Sequence, residues 1–512
     1  MSNLLKKASI LTTPTAYGSG VVNSIIPNTA DGDFQFSRNS FATRVNENGL
    51  IETTGFFGSN KVSTIINDNP LPFNTFTDNG GGSYTCISTN TTFAGFEQPS
   101  LEAFAVSVGQ VYRVSFDYTL NSGSHFNFFI GDQAVGSSFS GSSIRVSATG
   151  SYSFDLTITA DNSAAMFVSQ TNQIVNFTIS NISVKEVIQS DIPRIDYTNG
   201  CGELLLEPQS TNLVPYSSDF NSGWTQYGSP TINTSISPDG TLNGSNITRG
   251  SNATPLRYQS LTSTGTQYTF SLYAKKGSVD KIYLDIGDVA EVEFTLTDEW
   301  QRFEITQTPP TFTHIDISFG TSTSGDNFYI FGAQLEALTF ATSYIPTSGS
   351  TVTRAAESLN NAGNSDLINS TEGVLYVEIA ALVDSTSGGI RRLSLSDGTN
   401  DNRIQILFTN TVGKISVVVK SGGLFQIDTG FSGYNTTDLN KIAIRYGSGV
   451  FKVYINGLSV FNDAGVSFSS ISLDDLRFSN PSGSELMFAR CKSVAVFKEA
   501  LSDTELASLT TI

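Results

Sequence analysis

The sequence predicts an all-β chain of serial β-sandwiches closed by one short C-terminal helix. Three observations predict it. First, two stretches read as copies of each other. VYRVSFDYTL (111–120), SYSFDLTIT (151–159) and FTISNISVKEV (177–187) recur in kind, order and spacing as QYTFSLYAKK (267–276), WQRFEIT (300–306) and FYIFGAQLEAL (328–338). Second, apolar and polar residues alternate within these runs, which is the period of a half-buried strand. Third, only 14% of the 512 residues are charged and glycine numbers 45, a composition that suits β-branched and aromatic cores joined by turns.

Taken in order, residues 1–33 read as a loose polar opening. Residues 34–36 and 41–45 read as short strands, and Asn48–Gly49 as a hairpin turn, because type I′ turns need positive φ at both central positions. Residues 50–52 begin the return strand. A first jelly-roll-like unit spans 56–187. Pro193, Gly200 and Gly202 then mark turns around a short apolar strand at 203–207. A second jelly-roll-like unit spans 213–347, and TSGSTVT (347–353) has linker composition. The final domain, 354–512, alternates cleanly at 374–379, 404–408, 415–419, 441–446, 451–455 and 492–497, with a further hairpin turn at Asn456–Gly457. Ser502 through Glu505 fits a helix capping box, with Leu506 and Leu509 directed at the sandwich.

Net charge is −18 and the isoelectric point lies near 4.5. Phosphate recognition requires clustered Lys and Arg, so nucleic acid and anionic lipid are excluded as partners. The three cysteines, Cys86, Cys201 and Cys491, are too few and too widely spaced for a disulfide framework or a zinc knuckle. Free thiols and folding in a reducing cytosol are expected. The N-terminus lacks the apolar stretch of a signal peptide, and no run of about 18 apolar residues occurs, so no membrane insertion is expected. Release by lysis as part of a virus particle fits a chain made in the host cytoplasm.

Three phrases carry a family resemblance: FSRNSFATRVNENGLIE (36–52), IPRIDYTNGCGELLLEPQSTNLVPYSSDF (192–220) and GAQLEALTFATSYIPTSGSTVTRAAE (332–357). In this order they resemble segments of tailed-bacteriophage structural proteins, tail-fibre or head-fibre appendages with carbohydrate-binding-module-like jelly rolls. In such proteins the first two phrases lie close together in sequence. Here residues 56–187 stand between them, so the first jelly-roll unit is read as an insertion into a small split β module, 34–55 plus 188–212. By analogy with fibres, 1–33 is the candidate particle anchor. LNKIAIRYGSGVFKVYINGLSVF (439–461) and ARCKSVAVFKEALSDTELASLT (489–510) make the final domain similar to a concanavalin A-type or laminin-G-type sandwich. That likeness implies topology and not retained sugar binding.

The sequence holds no recognisable catalytic constellation, so no enzyme is expected. HExxH, GxSxG and Walker-type loops are absent. A glycosidase needs two carboxylates flanking the bond, and only Glu291 and Glu293 share an i, i+2 face, as any solvated strand edge can. His125 and His314 read as partly exposed strand residues. Sugar rings stack on Trp and Tyr, which makes Trp224, Tyr227, Tyr258 and Trp300 the candidate carbohydrate-binding residues. Core packing is the alternative for each, and Tyr273 and Tyr283 are equally ambiguous until register is known. Modules of this type often hold one structural calcium ion. Asp219, Asp326 and Glu336 are its candidate hard-oxygen ligands, with solvated turn acids as the alternative.

The expected function is that of a non-enzymatic virion structural protein: a fibre, collar or decoration component contributing to host-surface glycan adhesion. Its expected partners are other virion proteins, host glycans and further copies of itself. A polysaccharide-degrading enzyme with accessory modules and a secreted bacterial adhesin are the alternatives.

Overall fold

The computed structural model describes every residue except 1–3, 14–15, 55, 68–70, 90–93, 99–101, 103, 132–139, 159–161, 172, 189–190, 260–265, 310–313, 385–388, 448–449 and 464–471. Among the described residues the chain is all-β, with antiparallel strand ladders and one α-helix, Asp503–Thr510. It divides into two units. Unit 1 is Met1–Thr54, Ser190–Ser210 and Arg354–Ile512; unit 2 is Gly55–Gln189 and Thr211–Thr353. Both jelly-roll stretches are therefore excursions from a discontinuous unit 1.

In unit 2 the repeat is one topology used twice. In the first sandwich one sheet runs Gly150–Thr157, Val111–Gly123, Val175–Ile188, Ser83–Ser88, Thr75–Gly80. In the second, Gln301–Gln307, Tyr268–Lys276, Asn327–Glu336, Gly244–Thr248 and Ser229–Ser235 take the same places. The facing sheets also match. Ala94–Glu97, Asn162–Thr171, Phe126–Gly131 and Ser140–Val146 correspond to Leu256–Gln259, His314–Ser318, Lys281–Ile286 and Val292–Thr295. Strict alternation turns one face of every strand inward, so each sandwich has its own core. The first is rich in aromatics, with Phe116, Tyr118, Phe126, Phe128 and Phe177 all buried. The second is built on Phe270, Leu272, Ile315, Ile317, Phe328 and Ile330.

Unit 1 is a sandwich of an eight-stranded sheet and a five-stranded sheet. The central strands Glu372–Ala381 and Ala489–Phe497 pair in the first sheet, and Arg403–Phe408 and Lys414–Ser421 pair in the second. Two expectations change here. The opening segment is not loose: Ile10–Thr12 pairs with Ala489–Phe497, and Ile10 and Val22 are fully buried in the sandwich core. Arg194–Asp196 and Glu203–Leu206 do not form a separate small module either. They extend the same sheet through Glu203–Leu206, which pairs with Ala489–Phe497, and they place Ile195, Leu204 and Leu206 in the same core. The apolar inner faces of these short strands cannot be covered by so few residues alone, and the large sheet edge covers them. The presumed linker 347–353 is tied down as well. The Thr347 hydroxyl donates to the Val214 carbonyl at 2.6 Å, and Val352–Arg354 pairs with Ser210–Asn212.

A buried ion cluster holds the three segments of unit 1 together. The side chains of Arg38, Arg194 and Glu357 are fully buried, and Arg354 and Glu207 nearly so. Arg38 donates to Glu357 Oε1 at 2.8 Å, to the Ile192 carbonyl at 3.0 Å and to the Thr54 hydroxyl at 3.1 Å. Arg194 binds both oxygens of Glu357 and also Glu207, 2.8 Å away. Arg354 binds Glu207 at 2.7 Å and the Pro208 carbonyl at 2.6 Å. Every point at which the chain leaves or re-enters unit 1 is therefore within a few residues of this cluster. An inserted domain is tolerated when its two ends are held close together, and these contacts hold them. The three phrases quoted above each contribute: Arg38 from the first, Arg194 and Glu207 from the second, Arg354 and Glu357 from the third. Burial pushes the Glu357 carboxyl up, but the guanidinium groups of Arg194 and Arg38 hold it below the ordinary carboxylate range.

The terminal helix carries the expected capping box. Ser502 accepts from the Glu505 amide at 3.3 Å, and Glu505 accepts from the Ser502 amide at 2.9 Å. Leu506 and Leu509 are buried. Ser502→Ala leaves an orphan amide and is expected to lower unit 1 stability by about 1 kcal/mol. Urea unfolding followed by far-ultraviolet circular dichroism measures it; an unchanged midpoint would mean that the cap contributes nothing.

Candidate functional site

The second sandwich presents a charged outward face on a five-stranded sheet, ordered Thr225–Gln226, Leu256–Gln259, His314–Ser318, Lys281–Ile286, Val292–Thr295. Alternation sends Leu256, Tyr258, Ile315, Ile317, Ile282, Leu284 and Ile286 into the core. It leaves Arg257, His314, Asp316, Ser318, Tyr283, Asp285 and Glu293 on the other side. Register sets them in rows. Arg257 stands opposite Asp316, Asp316 opposite Asp285, Ser318 opposite Tyr283, and Tyr283 opposite Glu293.

Arg257 grips Asp316 through two parallel bonds, Nε to Oδ1 at 2.7 Å and Nη2 to Oδ2 at 2.5 Å. This bidentate geometry fixes both side chains. The hydrogen bond to Asp316 raises the Arg257 pKa, and the Tyr227 phenol lies near enough to add to the effect. Tyr283 donates to Glu293 Oε2 at 2.6 Å, and Lys281 pairs with the same carboxylate. The bond to Glu293 raises the Tyr283 hydroxyl pKa, and the bond from Lys281 lowers that of Glu293. Gly320 has φ +60°, and a Cβ there would run into the Tyr283 ring, so glycine lets that ring lie close to the backbone. At one end of the sheet the Asp285 carboxylate accepts the amides of Asp288 at 2.7 Å and Ala290 at 2.9 Å. His314 Nε2 lies 3.2 Å from Asp288 Oδ1 and 3.8 Å from Asp316 Oδ2.

The residues expected to stack sugars separate on this structure. Trp224 and Tyr258 are core residues, 6% and 8% exposed. Trp224 packs on Phe220 and Tyr258 and donates to the Tyr216 carbonyl at 3.1 Å, so neither ring is offered to a ligand. Trp300 lies next to the other sheet, half-buried, bonded to the Ile236 carbonyl at 2.8 Å and capped by Lys275. Of the four only Tyr227, 43% exposed, borders the charged face.

The expected calcium ligands are not brought together. Asp326 and Glu336 stand at opposite ends of the strand Asn327–Glu336, roughly 30 Å apart at the usual rise per residue. Each is satisfied locally. Asp326 accepts from the Thr323 amide at 2.7 Å, and Glu336 accepts from the Thr342 amide at 2.9 Å. Asp219 accepts from the Asn221 amide in its own turn at 3.0 Å. His314 is not the partly exposed residue expected either; it is 4% exposed. The sequence holds the parts of this site as HID (314–316) and DIGD (285–288), but no local pattern says that the two runs are neighbours; strand pairing does.

No family model and no curated protein matches the chain. Solved structures resemble parts of it at low identity. The CBM40 domain of the Ruminococcus gnavus IT-sialidase, bound to α2,3-sialyllactose, is 16% identical; 30% of this chain and 93% of that one align with a TM-score of 0.25. The CBM22 tandem domain of Paenibacillus barcinonensis Xyn10C is 10% identical over 56% of this chain and 100% of that one, TM-score 0.20. Domains LG4–5 of the mouse laminin α1 chain are 10% identical over 57% and 92%, TM-score 0.20. These are likenesses among β-sandwiches. The site stands on its own geometry.

Proposed function

We propose that this chain is a non-enzymatic structural component of a tailed-phage particle, a fibre, collar or decoration protein. We further propose that the outward face of its second sandwich holds a host-surface glycan. One observation carries the glycan reading: the Tyr283 ring shares a sheet face with Arg257, whose partly exposed guanidinium is held by the buried Asp316, and the exposed Tyr227 lies near that guanidinium. A sugar lays its apolar C–H face on an aromatic ring while such groups satisfy its hydroxyls. Side chains already locked by ion pairs lose little freedom on binding. Weak single contacts gain strength when many copies are displayed together, which suits a homo-oligomeric appendage. The virion setting rests on the three resembling phrases, with synthesis in the host cytoplasm. A map of the intact particle that lacks the chain would end it.

A glycan array probed with the full chain tests the binding face. Tyr283→Ala and Arg257→Ala are each expected to weaken binding by a factor on the order of ten or more. Undiminished binding by both variants would remove this face from consideration. A hydrolase reading would rest on Asp285 and Asp316, which stand opposite each other on adjacent strands. Arg257 occupies both oxygens of Asp316, and backbone amides engage both oxygens of Asp285. Release of reducing ends from capsular or cell-wall polysaccharide would overturn the non-enzymatic reading.

A further inference from the structure

We propose that Asp285, Asp288 and His314 form a binding site for a first-row divalent transition-metal ion of the zinc type. One ligand atom from each lies within 4.8 Å of the others. An ion about 2.0–2.2 Å from each donor needs donor separations of roughly 3–4 Å. The Asp288 side chain is 76% exposed, so it is free to make the small rotation that closes the gap.

Charge supports the site independently of spacing. Asp285 and Asp316 are 3% and 5% exposed and face each other across adjacent strands. Like charges in that position repel. Arg257 compensates Asp316. Among the described residues, Asp285 is met by the Asp288 and Ala290 backbone amides and by no ion-pair partner. A buried carboxylate without a counter-charge is costly, and a carboxylate offers about four lone-pair directions, of which two are used here. A cation placed between Asp285, Asp288 and His314 removes that cost.

The donor set selects the ion. Calcium and magnesium take hard oxygen ligands, whereas one imidazole nitrogen with carboxylate oxygens suits zinc and its first-row neighbours. The site is anchored by sheet geometry on two sides. His314 starts its strand, and the Asp285–Asp288 turn closes the neighbouring one, with Asp288 at φ +58°. The Asp288 arm opens to solvent, so water completes the coordination.

The test uses the full chain stripped with a chelator and dialysed, without glycan. Zinc is titrated calorimetrically, with calcium as control and cobalt(II) as a spectroscopic probe. One zinc ion per chain is expected, with a visible cobalt band and a rise in the melting temperature of the second sandwich. Asp288→Asn should weaken zinc roughly tenfold or more and leave the metal-free melting temperature nearly unchanged, because the exposed amide keeps the oxygen that His314 meets. His314→Gln should abolish the cobalt band. No zinc uptake, zinc uptake unchanged in Asp288→Asn, or calcium bound as tightly as zinc would each overturn the proposal. Because no sugar is present, failure here leaves the glycan reading standing, and failure on the glycan array leaves this one standing.

Discussion

Glu357→Ala is expected to destabilise unit 1 by about 3–5 kcal/mol, the cost of breaking a buried ion pair from one side. Glu357 is the carboxylate shared by Arg38 and Arg194, and it also accepts the Glu207 amide at 2.8 Å. Its removal leaves the buried Arg38 without its carboxylate, and Arg194 and Arg354 sharing Glu207. Glu357→Gln keeps the volume and should fail nearly as badly, because the charge is what the arginines need. Both tryptophans lie in the second sandwich, so their fluorescence follows that sandwich. Hydrogen exchange at the amides of Glu372–Ala381 reads unit 1. Faster exchange there with an unchanged tryptophan transition is the expected pattern. A loss below about 1 kcal/mol would mean that the cluster behaves as if solvated.

The same residue sets an acid limit. Its carboxyl is held below the ordinary value in the folded state. A folded value below the unfolded one gives stability that is complete above the unfolded carboxylate range and is lost as pH falls through the folded value. Wild-type unit 1 should therefore lose stability on acidification more steeply than Glu357→Ala. Parallel pH profiles for the two proteins would contradict the assignment.

Phe177→Ala is the second large effect, expected to cost the first sandwich about 3–5 kcal/mol. Phe177 is fully buried and meets Phe126, Tyr118 and Phe73 at ring-centroid distances of 4.7, 5.2 and 5.6 Å. No neighbour can refill that volume without giving up its own close packing. Cys86 stands opposite Phe177 on the adjacent strand, buried, with burial pushing its thiol pKa up. A cavity there should admit a thiol reagent. In a Cys201→Ser background, which removes the exposed thiol, Phe177→Ala should label at Cys86 much faster than the parent. Unchanged labelling together with unchanged stability would refute this packing.

Strand existence was legible in the sequence because alternation at a period of two is a local property. The paired runs at 111–120 and 267–276 appear as Val111–Gly123 and Tyr268–Lys276, with the same neighbours in both sandwiches. The capping box at Ser502 was legible for the same reason: its partners lie three residues apart. The site was not legible. Alternation assigns Tyr258 and Tyr283 to faces of their strands, but it does not say which face meets the core. The structure turns Tyr258 inward and Tyr283 outward. Asp326 and Glu336 read as plausible co-ligands until one strand set them at opposite ends.

The sequence by itself determined an all-β chain, its internal repeat, its turns and its helix cap, because each depends on residues within a few positions of one another. Only tertiary structure decided that residues 10–12 and 194–206 complete the sheet of the final domain. Only tertiary structure gathered Arg38, Arg194, Glu207, Arg354 and Glu357 into one buried cluster and set His314 beside Asp285. Those arrangements join residues far apart along the chain. They are selected by which apolar faces and buried charges must find cover, a requirement that no local pattern of residues encodes.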